Sequence, residues 1–355
     1  MTISKRNWRI AAILVLTGVC LLACRPNRPG TYADADLFPV RQGEKWGYID
    51  KAGRMVIKPQ FESAQPFAQG RAAVKLATLV GYINRAGKQV VKPQFDDARA
   101  FKEGLAWVRT PDRFGFIDTT GKLVIELPTL AGKWRPEDSL ARRATGYYTG
   151  AGDFSEGLAP VSLNRKWGYV DKAGRNVIKP MFDEARGFIS GVALVKLEGK
   201  WYYVERQGIM VVDPQAQEAG EFHDGLAWVR ISGKTGYIDL QDRVRVFPEY
   251  DGESDFSEGM AAVMNASKYG FIDRTGKLVI PLQFDMAGAF AQGLAPVSVR
   301  GKTGYVDLAG RMAIAPQFCF ADGFRNGLAQ VRLDEAGKEK LAYIDLTGKF
   351  VWKEK

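Results

Sequence analysis

A five-residue phrase, Trp46-Gly47-Tyr48-Ile49-Asp50, recurs along most of this 355-residue chain. Positions equivalent to Gly47 fall at Gly81, Gly115, Gly168, Tyr202, Gly236, Gly270, Gly304 and Ala342, so the steps are 34, 34, 53, 34, 34, 34, 34 and 38 residues. A fixed period of this size marks a repeat array. Each unit is too small to bury its own apolar face and has to stack on its neighbours. The repeat therefore overrides the two or three separate domains that length alone would predict. One insertion of 19 residues lies within about 126–150, and one of four lies near Asp334–Lys340.

Each unit reads as three strands and a linker. In the fourth unit, piece A is Leu158-Ala159-Pro160-Val161, piece B is Trp167-Gly168-Tyr169-Val170-Asp171 and piece C is Asn176-Val177-Ile178-Lys179-Pro180. Between B and C, Lys172-Ala173-Gly174-Arg175 fits a tight hairpin loop with Gly at its left-handed position. The Asp that ends piece B can accept hydrogen bonds from the N–H groups of that turn. A linker of about ten residues, Phe182 to Gly191, leads to the next unit.

The run Lys45-Trp46-Gly47-Tyr48-Ile49-Asp50-Lys51-Ala52-Gly53-Arg54, with the later Phe67-Ala68-Gln69-Gly70, resembles the WG (or KWG) repeat proteins of bacteria. The likeness covers residues 37–352. Tyr202 and Ala342 depart from it by replacing Gly, Thr235 and Thr303 by replacing Trp, and the third unit lacks the Pro-x-Phe after piece C. The resemblance implies a β-repeat fold, often on exported proteins, and no established activity.

Side chains alternate faces along a strand. The position of Tyr48 is always aromatic and that of Ile49 always Ile or Val, so both faces of strand B have to be buried. Small sheets lying face to face, as propeller blades do, meet that demand. Gly47 shares a face with Ile49, and the missing side chain lets something approach the sheet closely. In piece A the third position varies, with Pro39, Trp107, Pro160, Trp228, Pro296 and Gln330 among its occupants. Pro cannot donate to a ladder, so strand A is expected at a sheet edge, its variable side chains lining one continuous surface. The fold class is all-β: a tandem array of about nine three-stranded antiparallel meanders, propeller-like. No unit is split between the termini, which favours an open superhelix over a closed ring.

Residues 1–23 read as an export signal. Lys5, Arg6 and Arg9 are followed by an apolar run from Ile10 to Leu22, shorter than the roughly 20 residues a spanning helix needs. The sequence Leu21-Leu22-Ala23-Cys24 resembles a bacterial lipobox, which implies cleavage after Ala23 and acylation of Cys24. Several acyl chains on one residue give stable anchoring where one chain is marginal. Residues 24–36 form a tether to the repeat domain at 37–352. Arg25 stands where an Asp would resemble the inner-membrane retention signal of enteric bacteria, so in a Gram-negative cell the outer membrane is favoured.

Little in the sequence suits catalysis. His223 is the sole histidine and sits in a linker, and Cys319 is the one cysteine left once Cys20 has gone and Cys24 is acylated. Together they cannot make an ordinary zinc site or a serine triad. No cofactor or metal is expected. The net charge of +10 is spread through turns beside acidic residues, and no nucleic-acid motif is present. The expectation is an anchored scaffold that binds another envelope protein, with a glycan such as peptidoglycan as the rival ligand. Trp107, Trp228 and Gln330 at the variable strand position, and Trp134 in the insertion, are the candidate contacts.

Overall fold

The computed structural model describes residues 37–111, 113–128, 148–335 and 337–355. They form nine antiparallel sheets, here blades 1 to 9, spanning 38–61, 63–95, 97–128, 148–182, 184–212, 218–250, 252–284, 286–318 and 320–353. Strands A, B and C fall where the sequence places them; in blade 1 they are Phe38–Gln42, Lys45–Ile49 and Met55–Phe61.

Eight blades have a fourth strand that the sequence reading missed. In blade 2 it is the two-residue strand Ser63–Ala64, paired with A on the side away from B. The bonds Glu62 N–H to Lys75 C=O and Gln65 N–H to Ala73 C=O frame it. We call it strand S. The unit is thus a four-stranded meander, and strand A is internal rather than an edge.

This also explains the prolines of strand A. The third residue of A gives its C=O to the segment just beyond S, as Pro160 does to Gly152 N–H and Pro296 to Gly288 N–H. The N–H of that residue points past the end of the short strand. In blade 7 the Ala262 N–H is met only by the Ser254 hydroxyl. Proline removes a donor that the ladder does not use.

The signature glycine has a specific cause. A Cβ at Gly47 would lie 2.4 Å from Ile57 O and 2.7 Å from Pro59 N. Strand C therefore leaves the sheet plane and passes over the face of B, where the register between the two strands shifts. By this crossing the chain moves from the C edge of blade 1 to the S edge of blade 2, with only Glu62 between the strands. Gly81, Gly168, Gly236, Gly270 and Gly304 stand under equivalent crossings. The exceptions obey the same rule. Blade 5 carries Tyr202 and its strand C stops at Val212, and blade 9 carries Ala342 with a short strand C, Phe350–Lys353.

Blades pack face to face as expected. Every aromatic of the Tyr48 class and every aliphatic of the Ile49 class is buried. Tyr48 meets Phe67 of the next blade with ring centroids 4.9 Å apart, and the pairing repeats from Tyr82–Phe101 to Tyr305–Phe324. Such pairs contribute about 0.5–1.5 kcal/mol beyond area burial. The phenol also donates across the interface: Tyr48 to Gln65 O at 2.8 Å, Tyr169 to Arg186 O at 2.7 Å, Tyr305 to Asp322 O at 2.7 Å. A buried phenol without a partner would cost about 1–3 kcal/mol, so these bonds accompany the burial.

The array closes on itself, which corrects the expected open superhelix. Tyr343 of blade 9 donates to Pro39 O of blade 1 at 3.0 Å, and Phe38 meets Tyr343 at 5.6 Å. Phe38, Val40, Ile49, Leu328 and Tyr343 form one buried cluster. The turn of blade 1 seats Gly53 against Val351 of blade 9, as Gly87 seats against Ile57 one blade on. The molecule is a ring of nine blades, a β-propeller, closed without splitting a blade between the termini.

Candidate interaction surface

Antiparallel strands give the ring two ends. One carries the B–C turns and the linkers from S to A. The other carries the A–B turns and the crossings from C to S.

At the first end the chemistry of the B–C turns is structural. Asp50 Oδ1 accepts from Ala52 N–H and Arg54 N–H, both at 2.9 Å, and Gly53 sits at φ +79°. Seven Asp residues repeat this pattern, Asp307 and Asp345 among them. The Arg311 N–H, then its guanidinium, hold the Asp307 carboxyl below the usual carboxylate range. These acids are occupied by the turns.

The linkers of this end meet from blade to blade: Gly157 N–H donates to Glu103 at 2.9 Å and Gly259 N–H to Asp224 at 2.8 Å. Two acids there face a basic side chain of the preceding blade. Lys102 Nζ lies 3.4 Å from Asp153, and His223 Nε2 lies 3.6 Å from Asp255. Glu221 differs, because the preceding blade offers Ile189 at that place. Burial raises its carboxyl, while His223 and Arg186 oppose the rise only in part. Sequence reasoning missed Glu221, since the missing cation lies 32 residues away on another blade.

At the second end most A–B hairpins have two-residue turns with both residues left-handed, such as Asn164 at φ +50° and Arg165 at φ +64°. Lysines at the start of strand B latch successive blades. Lys166 Nζ reaches Asp183 at 2.5 Å, and the same carboxylate takes Gly199 N–H of the next hairpin at 3.2 Å. Lys234–Asp251–Ala266 and Lys268–Asp285–Arg300 repeat it. The lysine, then the turn N–H, hold these three carboxyls low. Two latches lack a carboxylate. Gln217 takes only Gly233 N–H, and Cys319 puts Sγ 3.7 Å from Lys302 Nζ.

The strand ends that flank both departures in unit length lie at this second end. The segment 129–147, outside the described residues, leaves strand C of blade 3 at Pro128 and returns to strand S of blade 4 at Tyr148. The four-residue insertion lengthens the A–B hairpin of blade 9, whose strands run Leu328–Glu335 and Lys338–Asp345. That hairpin carries the ion pairs Arg332–Glu339 at 3.2 Å and Lys340–Glu335 at 3.4 Å.

The candidate contact residues are dispersed. Trp107 is not on a surface: it is 7% exposed, in the core between blades 3 and 4, with the Arg99 guanidinium 4.9 Å from its ring. Ala73, Pro160, Leu194 and Ala262 at the same strand position are also buried, so the expected continuous exposed row does not form. The position is filled by the linker that strand S brings across it. Trp228 is half-buried and its indole lies on Gly220, where a Cβ would come 2.1 Å from Nε1. Gln330 is half-buried, its Oε1 lying 3.2 Å from the Tyr343 hydroxyl that donates to Pro39 O. Trp134 and Cys24 lie outside the described residues. No group of three His, Cys, Asp or Glu suited to a metal forms among the described residues.

A family profile described as "WG containing repeat" matches nine stretches: 46–77, 81–110, 114–127, 146–167, 167–201, 203–234, 236–269, 269–302 and 304–335. No curated protein matches. Among solved structures, the dihydro-heme d1 dehydrogenase NirN in complex with DHE is 13% identical, with a TM-score of 0.49 over 94% of this chain and 76% of its own. PorZ, a surface component of the type-IX secretion system of Porphyromonas gingivalis, is 11% identical, with a TM-score of 0.33 over 89% of this chain and 51% of its own. KlHsv2 with loop 6CD replaced by a Gly-Ser linker is 8% identical, with a TM-score of 0.37 over 78% of this chain and 94% of its own.

Proposed function

This chain belongs to the WG-containing repeat family, and on that premise we propose that it is a lipid-anchored envelope scaffold that presents its A–B end to a protein partner. One observation carries the reading. The fold repeats strictly, yet both length changes, the 129–147 segment and the long hairpin of blade 9, emerge at the same end of the ring. Non-repeating loops on a rigid scaffold are where binding concentrates. The repeated polar groups, by contrast, are engaged in turns, latches and blade contacts, which favours binding over catalysis.

Export and anchoring rest on the leader and on Ala23-Cys24. A glycan ligand is the weaker reading, because Trp107, half of its proposed stacking platform, is buried. Photocrosslinking in intact cells tests the proposal, with the crosslinker at Glu339 in the long hairpin and, as a control, at Gln207 in a B–C turn. A discrete protein adduct from position 339 and none from 207 supports it. Adducts from neither position, or retention on purified peptidoglycan instead, would overturn it. Loss of membrane association in Cys24→Ser tests the anchor separately.

A further inference from the structure

We propose that the B–C end of the ring rests on the anionic lipid surface in which Cys24 is anchored, through an apolar belt and the basic turns beside it. The proposal builds on the anchored reading above and adds an orientation to it.

The belt comes from the start of strand C. In seven of nine blades a large apolar residue there is exposed, including Val56, Val124, Val177, Val244, Val279 and Met312. The repeat does not need these side chains for its core, because the inward residue of strand C is the buried Ile57 class. Leu308 and Leu346, in the neighbouring turns, are also exposed. Scattered apolar residues need no explanation, but a belt recurring around one end of a ring does.

The B–C turns carry a basic excess, while the acids of the same end, such as Asp153, Glu221 and Asp255, lie in the linkers. Across the nine five-residue windows from Asp50–Arg54 to Asp345–Lys349 there are 13 basic and 9 acidic residues. Seven of the acids are the Asp residues held by their own turns, four of them by Arg54, Arg175, Arg243 and Arg311 of the same windows. Lys88, Lys277 and Lys349 are exposed. Basic residues near an anionic leaflet each add to attraction, and apolar side chains between them enter the interface.

The tether enters at this end as well. Strand A of blade 1 runs from the B–C end to the A–B end, so Leu37 lies at the B–C end. Twelve residues separate it from Cys24, thirteen Cα steps with a reach of at most about 45 Å. A ring seated this way leaves the A–B end facing outward.

The test uses the lipidated full chain in vesicles of phosphatidylethanolamine and phosphatidylglycerol, in a Cys319→Ser background. An environment-sensitive dye is placed at Val177→Cys, Val279→Cys or, at the A–B end, Ser232→Cys, and nitroxide-bearing lipids quench it. The expected result is at least about twofold stronger quenching at 177 and 279 than at 232, reduced when Lys88, Lys277 and Lys349 are all changed to Glu. Equal quenching at all three sites, or protection of 177 and 279 by a protein partner and not by lipid, would overturn the orientation. Flotation of the chain with the vesicles reads the anchor itself. A chain that floats with no belt quenching contradicts this proposal alone, and a chain that does not float contradicts the anchored reading.

Discussion

The interface between blades 1 and 2 and the seam between blades 9 and 1 do the same job with different residues. At the first, the chain itself crosses, Tyr48 donates to Gln65 O, and Phe67 from the linker packs on Tyr48 at 4.9 Å. At the seam no chain crosses, and blade 1 has no strand S among the described residues. Tyr343 donates to Pro39 O on strand A itself. Phe38, which stands where the eight other blades have Ala, supplies a ring that meets Tyr343 at 5.6 Å. Arg41 adds an ion pair with Glu354 at 3.1 Å. A ring can thus be closed by side chains that take over what the chain does at the other interfaces.

The largest effects should come from removing the packed rings. Phe67→Ala and Phe38→Ala should each cost about 3–5 kcal/mol in denaturant unfolding. Hydrogen exchange separates them: Phe38→Ala should loosen blades 1 and 9 first, and Phe67→Ala blades 1 and 2. If Phe38→Ala left blade 9 as protected as before, the two joints would not be equivalent in function.

Next comes the crossing. Gly168→Ala puts a Cβ 2.4 Å from Ile178 O, and should cost about 1–3 kcal/mol or more. At the seam, where nothing crosses, Ala342→Gly should cost only about 0.5–1 kcal/mol. Similar losses in both would contradict the crossing as the reason for the signature glycine. Smaller still are the phenols: Tyr48→Phe and Tyr343→Phe should each lose about 0.5–1.5 kcal/mol. Phe116 and Phe271 occupy this position naturally, so folding itself should persist. The least effect is expected from Arg41→Ala. Its partner Glu354 is largely covered but Arg41 is 47% exposed, so the loss should be about 0–1 kcal/mol and should fade in salt.

Much of this was legible because the repeat is strict. The alternation of Tyr48 and Ile49 requires two buried faces on strand B, and the Asp-x-x-Gly turns announce their hairpins. Strand S was not legible: two residues such as Ser63–Ala64 carry no alternation and vary from blade to blade. Closure was hidden in one substitution, Phe38 for Ala, whose meaning depends on a residue 305 positions away. Trp107 and Trp228 could not be told from surface residues, since the linker covering them comes from a strand that had not been recognised. The gathering of both insertions at one end was implicit in their positions after strand C and between A and B, but it needed the crossing to be seen.

Ring closure is tested most directly by measuring one distance across the seam against its internal counterpart. Spin labels at Ala52→Cys and Ala86→Cys, equivalent turn positions on blades 1 and 2, give the spacing of neighbouring blades in a Cys319→Ser background. Labels at Thr347→Cys and Ala52→Cys span blades 9 and 1. A closed nine-blade ring predicts the same separation for both pairs. A seam pair far longer than the internal pair would mean an open superhelix.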